Sequence, residues 1–147
     1  MRIKNRKVVS IAGAGVFILV LLIVRMRFGI VIVDGESMAA TVNDGQIAFV
    51  IRDISSLKNG DIIVFDQDKK RTIKRIVASP GDTVDLSDGQ VYVNDIVVQP
   101  YNYEGSPHTY TLDGNEYFVI GDNYLNSYDS RNYGPITAAQ LVGEVIK

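Results

Sequence analysis

An uncharged apolar segment near the start of the chain constrains the fold more than any other feature. Residues 8–24 contain no charged side chain and a single polar one, Ser10. A run of seventeen residues is at the short limit for a helix that crosses a bilayer. The remaining chain, about 120 residues, is enough for one modest hydrophobic core but not for two.

The charges around this segment predict its orientation. Four basic residues precede it, Arg25 and Arg27 follow it, and the first acidic residue of the chain is Asp34. By the positive-inside rule, residues 1–7 form a basic cytoplasmic N-terminus, residues 8–24 a single transmembrane anchor, and residues 28–147 an extracytoplasmic domain at the cell membrane. A cleaved secretory signal is the alternative, but residues 25–30 lack a small-x-small cleavage site, which favours an uncleaved anchor.

Composition excludes several classes of function for the body of the chain. From Phe28 onward it carries nine basic and seventeen acidic residues, a balance that argues against nucleic-acid binding. The chain has no cysteine, so the sequence predicts neither a disulfide nor a thiolate metal site. Its only histidine is His108, which argues against zinc. We therefore expect no metal and no organic cofactor.

The body is predicted to be mainly β, a barrel or a sandwich, because short β-branched and aromatic runs alternate with turn signals. Residues 99–115 are rich in polar residues, Pro and Gly, and predict an irregular excursion, while residues 137–141 predict one helical turn. The strands are predicted at residues 28–33, 47–51, 61–65, 72–78, 83–86, 90–93, 96–98, 116–121 and 142–146.

Ser37 and Lys74 are the candidate reactive pair. Without a thiol, and with a single imidazole, a nucleophile in this chain would be a hydroxyl served by another base. A lysine serves only when it is neutral, and burial among apolar side chains lowers its pKa toward that state. Gly35 allows the chain to turn so that the amide of Ser37 faces the developing oxyanion. Equally, a serine after a strand is often a turn residue, and a lone lysine in a strand usually faces solvent.

Four motifs resemble those of the bacterial type I signal peptidases of the Gram-positive type. These are membrane-anchored serine proteases that remove leader peptides from exported proteins. The motifs occur in the family's order behind the predicted anchor, at residues 35–41, 58–65, 74–82 and 121–131. The resemblance implies a signal-peptidase-like β-barrel or sandwich, with Ser37 as nucleophile and Lys74 as general base.

The resemblance also assigns supporting roles by position. Ser127 matches the hydroxyl that orients the lysine, Asp122 matches the partner of Arg75, and Asp129 with Arg131 matches an ion pair beside the site. Without the resemblance, the acidic residues of 122–131 would be read as a solvated loop or a calcium-like oxygen cluster.

Substrate contacts follow from the same resemblance. An extended leader segment is expected to pair with the edge of the strand at 28–33 by β-augmentation. Shallow apolar pockets would then select small residues at positions −1 and −3 of the leader. The apolar side chains that line these pockets would also be typical of an ordinary core. The side chains expected to form these pockets are Val31, Val33, Met38, Val42 and Ile73.

Three departures from the family pattern indicate a specialised member, such as those that accompany pilus assembly. Ala40 stands where the family usually has Pro, residues 78–79 are Ala-Ser where it usually has Gly-Leu, and Gly35 replaces a second oxyanion hydroxyl. The expected partners are exported preproteins, pilins among them, and the lipid bilayer.

Two other classes remain open. A non-catalytic assembly factor or chaperone for pilins or other surface proteins would keep the fold and the groove without proteolysis. A self-cleaving repressor shares the Ser-Lys chemistry, but that class carries a DNA-binding N-terminal domain, where this chain has an apolar segment.

Overall fold

The computed structural model describes residues 2–39 and 41–146, with side chains from residue 13 onward. Helix α1, Arg2–Arg27, is followed directly by the first strand. Arg25 and Arg27 lie in the last turn of the helix, where their positive charges interact favourably with the negative end of the helix dipole. In the part of the chain that the structure describes, no helix has the length and apolar character that crossing a membrane requires. The predicted anchor at 8–24 begins before the first described side chain, and Ala40 lies outside the described residues.

The rest of the described chain is mainly β, as predicted. Two short 3-10 helices, Tyr124–Asn126 and Ala138–Gln140, and the four-residue helix α2, Ser130–Tyr133, interrupt the strands. The strands are β1 Phe28–Ile32, β2 Ile47–Ile51, β3 Ile62–Gln67, β4 Lys70–Ala78, β5 Thr83–Ser87, β6 Gln90–Val93, β7 Ile96–Asn102, β8 His108–Thr111, β9 Glu116–Ile120, β10 Ile136–Thr137 and β11 Leu141–Val145.

A seven-stranded antiparallel sheet carries the site. Its strand order is β1-β2-β11-β3-β4-β9-β10, so the last long strand lies between two early ones. The strand β1 is at one end of this order and pairs only with β2 among the described residues. The loop that leaves β1 nevertheless reaches β4, four strands along, because Ser37 contacts Lys74. The sheet must therefore curve, and this curvature brings the two candidate residues together.

A smaller sheet of four strands has the order β7-β6-β5-β8. Its central hairpin turns at Asp88 and Gly89, which have φ angles of 51° and 74°, as the Asp-Gly turn signal predicts. The prediction that residues 99–115 are irregular is wrong in part, because β7 extends to Asn102 and β8 pairs with β5. Pro100 is tolerated in β7 because this strand is at the sheet edge, where a missing N–H costs no ladder hydrogen bond.

The core consists of three buried clusters, one of which lies beside the candidate site. That cluster joins Val33, Met38 and Val42 of the loop after β1 to side chains of the large sheet, including Val50, Ile62 and Val64. The small sheet contributes Val84, Leu86, Val91 and Val93 to a second cluster with Phe118 and Ile120 of β9. The loop that carries Ser37 is thus fixed by apolar burial on its inner side.

One face of the hairpin formed by β1 and β2 is apolar and exposed. Ile30 is 66% exposed and Ile32 is 69% exposed, whereas Val31, which points to the opposite face, is half-buried. In the antiparallel register Ile30 lies opposite Phe49, and Ile32 lies opposite Ile47. We define the apolar face as Phe28, Ile30, Ile32, Ile47 and Phe49.

Candidate active site

Ser37 lies in a tight turn of the loop between β1 and β2. The loop is closed where the amide of Val33 donates to the carbonyl of Gln46 over 2.9 Å. Within it, the amide of Ala39 donates to the carbonyl of Glu36, also over 2.9 Å. Gly35 precedes the turn with a φ of 104°, a left-handed conformation that favours glycine, and its amide donates to Asp44 Oδ1 over 2.8 Å. The sequence around Ser37 therefore builds a constrained turn.

Lys74 points from β4 into the interior, next to Ser37. Its Nζ lies 2.5 Å from Ser37 Oγ, within hydrogen-bond distance, and the residue is only 3% exposed. Both faces of β4 are covered near Lys74, because Ile73 on one face and Ile76 on the other are also buried. The structure brings together the two residues that the sequence analysis singled out.

Burial lowers the pKa of Lys74 below the usual lysine value, because an ammonium loses its hydration in the interior. The charge of Asp129 raises this pKa and that of Arg131 lowers it, both by less than the burial effect. A lowered pKa increases the share of the neutral amine, which is the form that accepts a proton.

Arg75, the neighbour of Lys74 in β4, forms a bidentate ion pair with Asp122. Arg75 Nε donates to Asp122 Oδ1 over 2.7 Å and Nη2 donates to Oδ2 over 2.5 Å. Arg75 Nη1 also donates to the carbonyl of Gly60 over 2.6 Å. Because β4 and β9 are neighbours in the sheet, this pair ties the strand of Lys74 to the segment that leaves β9.

Asp129 and Arg131 form a second, more deeply buried pair. Asp129 is 0% exposed, and Arg131 donates to it through Nε and Nη2, both over 2.9 Å. The same carboxylate accepts from the amide of Gly121 over 3.1 Å. Arg131 also donates to the carbonyls of Tyr124 and Asn102, so its guanidinium crosslinks this segment to β7.

Ser127 does not make the hydrogen bond to Lys74 that the resemblance implies. Its Oγ is buried and has no hydrogen-bond partner among the described residues. The side chain instead lies against Gly121, where an added Cβ would overlap both Ser127 Oγ and the carbonyl oxygen of Ser37. Orientation of Lys74 by Ser127 therefore stays a prediction.

The side chains expected to contact substrate divide by burial. Val33, Met38, Val42 and Ile73 belong to the buried cluster beside the site, and Val31 is half-buried against it. At the departure from the family pattern, Ala78 is fully buried, and the amide of Ser79 donates to Asp82 Oδ2 over 2.9 Å, which closes a local turn. A substrate-binding role for the five apolar side chains stays a prediction.

Sequence reasoning missed Asn123. Its amide donates to the carbonyl of Ser37 over 3.0 Å, and its side-chain Nδ2 donates to the carbonyl of Glu36 over 3.0 Å. The only signal was its place in the polar segment after a buried strand, because partners that are backbone carbonyls leave no trace in residue spacing.

Comparisons with known proteins agree over most of the chain. The family described as signal peptidase, peptidase S26, matches residues 6–147. The signal peptidase I of Bacillus amyloliquefaciens is 37% identical over 144 residues, covering 86% of this chain and 78% of the relative. Signal peptidase I S of Bacillus subtilis (strain 168) is 36% identical over 145 residues, covering 86% of this chain and 79% of the relative.

A solved structure gives the same result for the fold. The crystal structure of a signal peptidase I from Enterococcus faecalis V583 superposes with a TM-score of 0.51 at 28% sequence identity, covering 65% of this chain and 100% of that one. With a family match from residue 6 to the last residue, and relatives more than a third identical, the chain belongs to the signal peptidase family, peptidase S26.

Proposed function

We propose that this protein is a serine endopeptidase that removes N-terminal signal peptides from exported preproteins by means of a Ser37–Lys74 dyad. The observation that carries the proposal is the 2.5 Å separation of Ser37 Oγ and Lys74 Nζ, with the lysine 3% exposed. Membership of the signal peptidase family supports the same reaction in general. A hydroxyl in contact with a buried amine has the proton acceptor that it needs to attack a carbonyl.

The proposed reaction uses this contact between the hydroxyl and the amine. Ser37 Oγ attacks the scissile carbonyl while neutral Lys74 takes the hydroxyl proton. The backbone N–H of Ser37 donates to the oxyanion of the tetrahedral intermediate. The lysine ammonium then returns its proton to the leaving amine, which frees the mature protein. Water, deprotonated by Lys74, hydrolyses the acyl-enzyme and releases the signal peptide.

The substrate is proposed to bind as an added strand along β1, with small residues at positions −1 and −3. The position of β1 at one end of the seven-stranded sheet supports this mode, because a terminal strand has backbone groups available for pairing. Five packed apolar side chains are proposed to limit the depth of the pockets, since they leave little room for large substrate side chains. They are Val31, Val33, Met38, Val42 and Ile73.

The site is proposed to act at the outer face of the cell membrane, with residues 8–24 as a single anchor, residues 1–7 in the cytoplasm and the body outside. The proposal is supported by the uncharged sequence of 8–24 and by the exposed apolar face of β1 and β2 next to it. That face is suited to contact with lipid tails at the bilayer surface.

The test is cleavage of preproteins by the purified full-length protein in detergent. The variants are Ser37→Ala and Lys74→Ala, with Ser56→Ala and Lys58→Ala as exposed controls, and the substrates include secreted and pilin precursors. We expect cleavage after a small-x-small site by the parent and both controls, and none by the dyad variants. If no precursor is cut, and Ser37→Ala still restores a deletion strain, the non-catalytic assembly factor is correct instead.

A further inference from the structure

Both peptide groups that flank the Cα of Ser37 are held by a single residue, Asn123. The peptide before Ser37 is held through its carbonyl, since Glu36 O accepts from Asn123 Nδ2 over 3.0 Å. The peptide after Ser37 is held in the same way, since Ser37 O accepts from the amide of Asn123 over 3.0 Å. Asn123 therefore restrains the backbone torsions on both sides of the nucleophile.

The first of these hydrogen bonds has a consequence at the other end of the peptide. A peptide group is planar and trans, so its C=O and N–H point in opposite directions. The carbonyl of Glu36 and the N–H of Ser37 belong to one such group. When Asn123 Nδ2 and the amide of Ala39 both donate to that carbonyl, the direction of the Ser37 N–H is fixed as well.

Asn123 is itself held by the framework that carries Lys74. It follows Asp122, which pairs with Arg75, the neighbour of Lys74 in β4. The amide of Asp122 also donates to Met38 Sδ over 3.4 Å, a second contact between this segment and the turn. On the other side, the amide of Asn126 donates to the carbonyl of Asn123 over 2.9 Å. The turn that carries Ser37 and the strand β4 that carries Lys74 are thus held by the same segment, at Asp122 and Asn123.

We propose that Asn123 is a positioning residue that aims the backbone N–H of Ser37 at the oxyanion of the tetrahedral intermediate. It touches neither substrate nor Lys74 in this role and acts through the peptide group between Glu36 and Ser37. The inference rests on the proposed peptidase function. Since the oxyanion develops only on the way to the transition state, a misaimed donor slows the chemical step and leaves substrate binding unchanged.

The experiment compares Asn123→Ala and Asn123→Asp with the parent, as full-length protein in detergent, on a precursor peptide that the parent cleaves. Asn123→Asp keeps the size of the side chain and replaces the donor Nδ2 with an oxygen that repels Glu36 O. Both variants keep the backbone bond to Ser37. The matched control is Asn43→Ala, an exposed asparagine of the same loop. Asn43 donates to Gln46 Oε1 through its backbone N–H, which the substitution keeps. Steady-state kinetics are measured across pH, and thermal unfolding is measured for each protein.

We expect kcat to fall about 10- to 100-fold in both variants. This fall is no larger than the fall in kcat that removal of one oxyanion donor causes. KM and the pH at the midpoint of the kcat/KM profile should equal those of the parent, since Lys74 is untouched, and Asn43→Ala should match the parent throughout. The proposal is overturned by a kcat within threefold of the parent, by a loss confined to KM, by a displaced pH midpoint, or by loss of activity that tracks unfolding in both variants. If the parent itself cuts nothing, the proposed function fails and this inference fails with it.

Discussion

The burial of a single side chain, that of Lys74, both costs folding free energy and lowers the pKa of its amine. An ammonium in the interior loses hydration, and Lys74 is only 3% exposed, with the hydroxyl of Ser37 as a hydrogen-bond partner. The same loss of hydration lowers the pKa of the amine, which is the shift that the proposed role of Lys74 as base requires. The proposed reactivity of the pair and its cost in folding free energy are therefore two results of one burial.

The pH dependence of cleavage should report this lowered pKa. Only the neutral amine accepts the proton of Ser37, so kcat/KM should fall as the pH drops through the pKa of Lys74. The midpoint should lie clearly below 10.5, the value of an unperturbed lysine, because burial lowers it. The measurement is kcat/KM on a precursor peptide from pH 6 to about 10, with the exposed-lysine variant Lys58→Met as control. A midpoint near that of a free lysine would contradict the assignment of Lys74 as base.

Replacement of Lys74 by an apolar residue of similar length should stabilise the fold while it abolishes cleavage. The unfolded chain binds more protons than the folded one between the lowered pKa of Lys74 and 10.5, so the parent gains stability as pH rises through that window. Lys74→Met has no such dependence at this site and should be more stable than the parent at pH 7 by about 1–4 kcal/mol. The difference should shrink toward pH 10.5.

The measurement is chemical unfolding of both proteins at a series of pH values, with Lys58→Met as the control for loss of a surface charge. A Lys74→Met variant less stable than the parent at pH 7 would mean that the lysine is held by favourable interactions stronger than its desolvation cost.

The sequence singled out Ser37 and Lys74, which the structure places in contact, but not the backbone support of Ser37. The two residues were candidates because Ser-Lys chemistry restricts residue type, and because the surrounding motifs resemble a known family. Asn123 was not, because its partners are two carbonyls that any residue could provide. The sequence also could not predict that Ser127 Oγ lacks the hydrogen bond to Lys74, because the orientation of this side chain depends on its close packing against Gly121.

Among the elements, the short segment 121–131 is held at both ends by side-chain and backbone contacts. Gly121, Asp122 and Asn123 lie against the turn that carries Ser37, and the ion pair of Asp129 with Arg131 holds the other end of the segment. Turn signals predicted most strand boundaries, such as the hairpin at Asp88 and Gly89, because those turns need particular residues. The strand β7 was predicted too short and β8 was missed, because their backbone bonds depend on neighbours in the small sheet rather than on local pattern.

Removal of the buried carboxylate should destabilise this segment strongly. Asp129→Asn keeps the side-chain shape but leaves the guanidinium of Arg131, 9% exposed, without its counter-charge. We expect a loss of about 3–5 kcal/mol in the free energy of unfolding, as for other broken buried pairs. The matched control is Asp66→Asn, which breaks the exposed pair with Arg71 and should cost about 1 kcal/mol or less. Equal losses in the two variants, measured by chemical unfolding, would contradict the structural role assigned to the Asp129 pair.

At the scale of the whole molecule, the site depends on strand order rather than on sequence proximity. Ser37 and Lys74 are 37 positions apart and meet because β11, the last strand, pairs with both β2 and β3 and completes the curved sheet. No local pattern in the sequence predicts that insertion, which satisfies the backbone groups of two early strands with a late one. The mainly β class was predictable from the short β-branched and aromatic runs between turn signals, whereas the order of the strands in the sheet was not.

The apolar face of β1 and β2 should matter only for substrates that are held in a membrane. We expect the variant Ile30→Ser, Ile32→Ser, Phe49→Ser to raise KM for a preprotein inserted in lipid vesicles at least tenfold, because each apolar side chain withdrawn from lipid loses on the order of 1–3 kcal/mol. The kinetics on a short water-soluble peptide should change much less than those on the inserted preprotein, since the three side chains point away from the buried cluster beside Ser37. The control is Ile96→Ser on the small sheet, where the side chain is 70% exposed. A triple variant that cleaves the inserted preprotein as well as the parent does, or one that loses the soluble peptide equally, would show that this face does not contact the bilayer during cleavage.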